Sequence, residues 1–337
     1  MVKKHILSLL TFCCISITMY GQEYIPLNQN KLLGSVNPSF YSFDKEPHIG
    51  VVYGTQKVLN NNSSIENSFA YGSNFFEDYS FSLALDVNRF QISTLGYSST
   101  QVNAHYIYST NLSYDWVLNS SISAGYGNNK YDFSSLVFED QLDVLTGNIS
   151  GFSIDPVNAN SSVSYFDLGA GAHLHNSRNM FFGLNLKHLN KPNTSLNDEL
   201  GDNKEMLISV QGGFEIDLNP FKRRFLPPDS FLFLYGSATK QAKKSRVDFY
   251  QEAVIDNFSI GINQHINNYE NASISTLGVS ASIFLNQVEI GGNYSFEVAS
   301  KQLTGIPYNY FEVFILFDFY DLRLSRNRNN SRFYNFY

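Results

Sequence analysis

The feature that most constrains this chain is an alternation of period two, repeated along most of its length. From Tyr79 the odd positions are Tyr79, Phe81, Leu83, Leu85 and Val87, and the even ones are Ser80, Ser82, Ala84 and Asp86. Leu112, Tyr114, Trp116, Leu118 and Ile122 alternate with Ser113, Asp115, Asn119, Ser121 and Ser123. Leu277, Val279, Ala281, Ile283 and Leu285 alternate with Gly278, Ser280 and Ser282, and Ile290, Tyr294, Phe296 and Val298 with Glu289, Asn293, Ser295 and Glu297. Successive side chains of a strand point to opposite faces, so these are strands with one apolar and one polar face. Each segment runs about ten residues, enough to cross a hydrocarbon layer at a tilt.

Fourteen such segments are expected, over 48–58, 65–74, 78–88, 95–108, 112–127, 162–173, 179–189, 204–217, 230–239, 244–253, 256–266, 272–285, 287–298 and 308–320. An even count with both termini on the periplasmic side is the usual bacterial arrangement. Closure also removes the open sheet edges that lipid cannot satisfy. The expected fold is all-β: a transmembrane antiparallel β-barrel of about 14 strands, with short periplasmic turns and longer extracellular loops. The longest outer connection is 128–161. One inner connection breaks the rule of short turns, the proline-bearing basic stretch from Asn219 to Asp229.

Composition separates this reading from the soluble and helical alternatives. Mean hydropathy is −0.20, which excludes a bundle of membrane helices. Charged residues make up 16% of the chain, below the roughly 25% of a soluble domain. With 29 Phe and 22 Tyr, the aromatics suit a wall with lipid on one side and water on the other. The net charge of −7 makes nucleic acid an unsuitable partner.

The N-terminus has the form of an export signal. Lys3 and Lys4 precede an apolar run from Ile6 to Thr18, and Gly21 offers a small residue for cleavage before Gln22. Lipidation at Cys13 or Cys14 is disfavoured because neither follows the small residue expected there. Cleavage removes both cysteines, leaving no disulfide and no cysteine metal site. The expected organisation is a signal peptide over 1–21, an N-terminal periplasmic segment over 22–47, the barrel over 48–320 and a basic tail over 321–337. The tail carries Arg323, Arg326, Arg328 and Arg332, and reads as a solvated extension.

Residues with chemical potential are few, and neither a cofactor nor enzymatic activity is expected. His173 and His175 share a strand face as metal ligands can, but no third ligand accompanies them, so a polar lumen or turn is expected. Glu139, Asp140 and Asp143 lack the spacing of a calcium loop. Gly169 and Gly171 have no third glycine to complete a dinucleotide fingerprint and read as small strand residues. G-x-S-x-G and H-E-x-x-H are both absent, although spacing alone does not test for a Ser–His–acid set.

Several stretches resemble the PorP/SprF family of outer-membrane proteins associated with type IX secretion in the Bacteroidetes. Asn37-Pro38-Ser39-Phe40-Tyr41 looks like the family's early segment, and Asp140-Gln141-Leu142-Asp143 with Thr146-Gly147 like its mid-chain motif. Asp167-Leu168-Gly169-Ala170-Gly171 and Phe182-Gly183-Leu184, closing in His188-Leu189-Asn190-Lys191-Pro192-Asn193, are similar to its paired strands. The resemblance implies a non-enzymatic barrel that supports secretion or surface anchoring of a large protein, such as a gliding adhesin, by binding its C-terminal domain. It also implies contact with other type IX secretion or gliding components. The candidate partner-binding residues are Asp140, Gln141, Asp143, His188, Asn190, Lys191, Pro192 and Asn193. The alternative is a porin-like or FadL-like transport channel, since fourteen strands can enclose a pathway. Bulky groups on both faces of the last strand, including Phe314 and Leu316, point instead to a filled lumen.

Overall fold

The computed structural model describes residues 26–58, 63–93, 96–132, 141–142, 149, 151, 161–176, 179–196, 203–221, 226–227, 230–268, 272–298 and 309–319. The proposed signal peptide and the arginine tail lie outside these residues.

Fourteen antiparallel strands close into one barrel. They are β1 (His48–Val58), β2 (Ser63–Phe76), β3 (Phe81–Ile92), β4 (Tyr97–Asn111), β5 (Trp116–Tyr131), β6 (Ser162–Asn176), β7 (Met180–Lys187), β8 (Leu207–Asp217), β9 (Ser230–Gln241), β10 (Lys244–Ile255), β11 (Phe258–Asn268), β12 (Ala272–Leu285), β13 (Val288–Glu297) and β14 (Asn309–Asp318). Each pairs with its neighbours in sequence, and β1 closes on β14 with Val52 opposite Phe314. His48 and Asp318 are cross-strand partners, so the first strand begins and the last strand ends at the same end of the barrel. The connections at that end are mostly short; we call it the turn end and the opposite one the loop end.

The alternation sorts the faces as the sequence implies. On β3, Leu83, Leu85 and Val87 are exposed on the outer wall, whereas Ser82, Ala84 and Asp86 are buried inside. Ile283, Ile290, Tyr294 and Phe296 are exposed in the same way. An arginine at Leu83, the third residue of β3 from the turn end, places a charge on the lipid-facing wall and is expected to cost about 1–3 kcal/mol, between the values for interface and midplane. Ser82 is no low-cost comparison, because it is fully buried in a filled interior. Tyr114, 94% exposed in a turn, is the suitable control, with an expected cost of about 0.5 kcal/mol or less. Folding titrations of Leu83→Arg and Tyr114→Arg measure this; equal losses mean the outer wall is misassigned.

Several boundaries differ from expectation, each for a local reason. Glu77–Tyr79 form a 3-10 turn and Ser80 is left-handed (φ 54°), so β3 starts at Phe81 rather than 78. Leu112 to Asp115 form the β4–β5 turn, and β5 runs from Trp116 to Tyr131 rather than over 112–127. The exposed turn residues Leu112 and Tyr114 happened to continue the apolar phase. The last hairpins turn within two residues, after Gln241, Ile255 and Leu285, on left-handed Ala242, Asp256 and Asn286. The β11–β12 ladder slips between His265 and Ile266, as at a bulge.

The largest departure concerns the segment before β1. Residues 22–47 were expected outside the barrel, but from Leu27 to Ser42 the chain contacts the inward faces of the strands. It carries one helical turn, α1 (Leu33–Val36), and a 3-10 turn over Pro38–Ser42. Three apolar clusters fix it. Phe40 and Phe43 pack with Phe181, Phe233, Tyr235 and Tyr250. Leu32 packs with Val52, Phe69, Phe314 and Leu316, and Tyr41 with Ala84 and Ile107. The inward bulk of Phe314 and Leu316 is thus half of a core whose other half is this strap.

Candidate functional site

Two of the stretches that stand out in the sequence, residues 37–41 and the paired strand segments around Gly171 and Gly183, meet inside the barrel, where the strap lies against β6 and β7. Asn37 caps the 3-10 turn, its Oδ1 accepting from Ser39 N (3.2 Å) and from Ser39 Oγ (2.6 Å). Its Nδ2 is within reach of the carbonyls of Ala172 (3.1 Å) and Leu184 (3.3 Å) and of Gln211 Oε1 (3.1 Å). Pro38 follows at the first position of the turn, where a missing N–H costs nothing. Asn185 Nδ2 donates to the Val36 carbonyl (2.7 Å), and Lys187 Nζ to that of Ser35 (3.3 Å).

Two glycines make this approach possible. A methyl group at Gly183 would stand 2.9 Å from Asn37 Nδ2 and 2.6 Å from Gln211 Oε1. One at Gly171 would stand 2.6 Å from Asn37 Oδ1. These glycines serve close approach by another segment of the chain, not a nucleotide.

His173 and His175 belong to the same contact. His173 stacks on Phe40 at 3.9 Å between centroids and on His175 at 4.9 Å. Phe43 lies edge-on to His175 at 4.9 Å. Among the described residues no group of three or more His, Cys, Asp or Glu is placed to hold a metal ion. Lower down, the strap is tied to the barrel seam at the turn end. His48 bonds Asp44 through Nε2 (2.5 Å) and Asp318 through Nδ1 (2.7 Å). Burial pushes the Asp44 carboxyl up, but the charge and hydrogen bond of His48, with backbone donors, outweigh it and hold Asp44 below its ordinary value.

Polar side chains that the sequence reading did not select line a cleft beside the strap. It is a small space of about 20 Å³, room for roughly one water, between Ser35 and Pro38 on one side and Asp86, His105, Ser123 and Asp167 on the other. His105 Nε2 contacts Asp86 Oδ2 and His105 Nδ1 contacts Ser123 Oγ, both at 2.7 Å. These are the residue types of a nucleophilic triad, and the neighbouring side-chain amides are already engaged. Asn103 Nδ2 is given to Asp86 (2.6 Å) and Gln101 Nε2 to Asp167 (3.0 Å), and His105 and Ser123 each lie between two paired strands. Donors aimed at a developing oxyanion are what such chemistry requires. The signal for these residues was the polar phase of β3 to β6, which any water-facing wall would share.

The expected partner-binding residues separate into two groups. His188 to Asn193 form one turn at the loop end of β7. His188 is left-handed (φ 60°), and its buried ring reaches Asp167 Oδ2 from Nδ1 at 2.8 Å. Asn190 pairs through its side chain with β6, accepting from Leu168 N (3.0 Å) and donating to the Phe166 carbonyl (2.6 Å). The reason is geometric. β7 has eight residues and β6 fifteen, and their ladder covers only Ala170 to His175 of β6. Asn190 thus bonds the wall beyond the end of β7. Lys191, also left-handed, forms a solvent-exposed pair with Glu205 (3.0 Å), the Pro192 carbonyl accepts from Lys204 N (2.8 Å), and Asn193 bridges to Asn203. In the long connection, Gln141 is described and its neighbour Leu142 bridges to Ile149. Asp140 and Asp143 lie outside the described residues.

Comparison with known proteins bears on the whole chain. The family described as type IX secretion system membrane protein PorP/SprF matches residues 24–317. No curated protein matches. Among solved structures, the chain is similar to the KdgM porin (10% identity, 81% of this chain and 99% of that one, TM-score 0.33). It is also similar to an outer membrane channel from Pseudomonas putida F1 (12%, 81% and 96%, TM-score 0.40). A third likeness is to a deletion mutant of the TodX monoaromatic hydrocarbon channel (9%, 80% and 88%, TM-score 0.46).

Proposed function

We propose a function from one premise: the chain belongs to the PorP/SprF family of type IX secretion system membrane proteins, and is an outer-membrane β-barrel. It serves secretion by binding the C-terminal domain of a large secreted surface protein, such as a gliding adhesin, on the loop side of the barrel. The observation that carries this reading is the strap. A lumen crossed from Leu27 to Ser42 and packed by three apolar clusters favours a wall that holds a partner over a path for solutes. The connection between β5 and β6 supplies thirty residues, 132–161, for contact, because long loops in compact folds serve binding or gating. The turn from His188 to Asn193 opens at the same end and offers Lys191 and Asn190 beside it.

Purified full-length barrel and the isolated C-terminal domain of the passenger test the reading. Retention of that domain on immobilised barrel, with no steady conductance of the barrel in a planar bilayer, is the expected result. Steady conductance without retention favours a transport channel instead.

A further inference from the structure

The strap is built in two unlike parts. Leu32 to Phe43 are held by aromatic and aliphatic packing together with the hydrogen bonds of Ser35, Val36 and Asn37 to β6–β8, whereas Leu27 to Lys31 are held almost wholly by polar groups of β9 to β14. Main chain and side chains are both read there. Glu312 accepts from the Leu27 N–H (3.1 Å), and the Tyr250 hydroxyl donates to the Leu27 carbonyl (2.6 Å). Gln29 donates to Asp248 (2.8 Å) and accepts from Ser237 (2.7 Å), and Asn30 donates to Glu252 (2.7 Å). Lys31 is buried in contact with Glu252 and Glu289, with Ser259 and Ser282 each at 3.3 Å.

One residue of this arm does not fit. Asn28 is 1% exposed, and among the described residues neither polar atom of its side chain has a hydrogen-bond partner. A buried amide without partners is penalised, so the arm is a poorer occupant than the wall can accept. Polar contacts are also replaceable one for one by the same groups on another chain, while the aromatic part keeps the strap anchored.

We propose that the inner wall of β9 to β14 is a binding site for an extended, lysine-bearing peptide, and that residues 27–31 are its internal, displaceable occupant. The ligand class follows from the contacts: a main-chain amide for Glu312 and Tyr250, an amide side chain for Asp248, and a lysine ammonium between Glu252 and Glu289. A residue without polar atoms at the position of Asn28 improves the fit. This site is distinct from the loop-side contact proposed above and does not rest on it.

A fluorescent peptide carrying residues 26–32, titrated into full-length barrel in detergent and read by anisotropy, tests this. Lys31→Met weakens the arm while keeping its length, and is expected to bind the peptide about tenfold more tightly than the unaltered chain. Asn28→Leu tightens the arm and is expected to bind it about tenfold more weakly. A peptide with methionine in place of lysine is expected not to bind. Equal binding by all three proteins, or equal binding of both peptides, overturns the proposal. If Lys31→Met does not fold, as judged by heat-modifiable gel migration, the unaltered chain and Asn28→Leu still decide it. The unaltered chain must then prefer a peptide with leucine at position 28 over one with asparagine, and Asn28→Leu must bind both more weakly than it does.

Discussion

Deleting residues 26–44 is expected to convert the closed barrel into a cation-selective pore. The strap supplies Leu32, Phe40, Tyr41 and Phe43 to the three clusters that fill the interior, and without them the opposing strand faces have nothing to meet across the lumen. Fourteen strands enclose a space between the side-chain-filled small barrels and the aqueous porins, so loss of the filling leaves a water path. The inward wall carries Asp86, Asp167, Glu215, Asp248, Glu252, Glu289 and Glu312, against Lys187 and Arg246. Removing Lys31 with the strap shifts that balance further toward negative charge, and rings of carboxylates select cations. In planar bilayers the full chain is expected to show no steady conductance. The deleted form should show steps on the order of those of a water-filled porin. A deleted barrel that folds and still does not conduct places the barrier in the strands themselves.

Shortening the connection between β5 and β6 is expected to leave folding nearly intact and to abolish passenger display. The base of this loop is already closed: Tyr131 N donates to the Ser161 carbonyl (2.7 Å), and Asp132 N to that of Gly96 (2.8 Å). A tight turn between Tyr131 and Ser161 therefore joins two points in hydrogen-bond contact. Closure entropy varies slowly with loop length, so stability should change by about 1–2 kcal/mol at most. Heat-modifiable gel migration reports folding, and surface immunolabelling of the passenger reports display. Normal display on a folded, shortened barrel moves the contact to His188–Asn193.

The barrel itself was legible because two solvents impose one rule on every strand. Leu83 against Ser82, or Ile283 against Ser282, needs only a period of two and a lipid face to be read. Turns at Glu77–Tyr79 and Leu112–Asp115 were misplaced because an aromatic at a membrane boundary looks the same in a turn as in a strand. The place of the strap inside the barrel was not legible. Gln29, Asn30 and Lys31 have the composition of a solvated leader, and only closure of fourteen distant strands creates the cavity that buries them. The stretch His188 to Asn193 stood out by resemblance, yet the reason for its form is local: a histidine turned inward to Asp167, and an asparagine bonded to the wall beyond the end of β7. His173 and His175 show the opposite case. A pair with the spacing of metal ligands packs on Phe40 and Phe43, a contact that no local spacing encodes.

The most direct test of a loop-side partner contact is photocrosslinking in cells that make the passenger. A photoreactive residue replaces Gln141 or Lys191 at the loop end, and Tyr114 in a turn at the opposite end, one at a time. Mass spectrometry then identifies what each position captures. Crosslinks from Gln141 and Lys191 to the passenger's C-terminal domain, with none from Tyr114, are the predicted result. Capture of that domain from Tyr114 alone contradicts it.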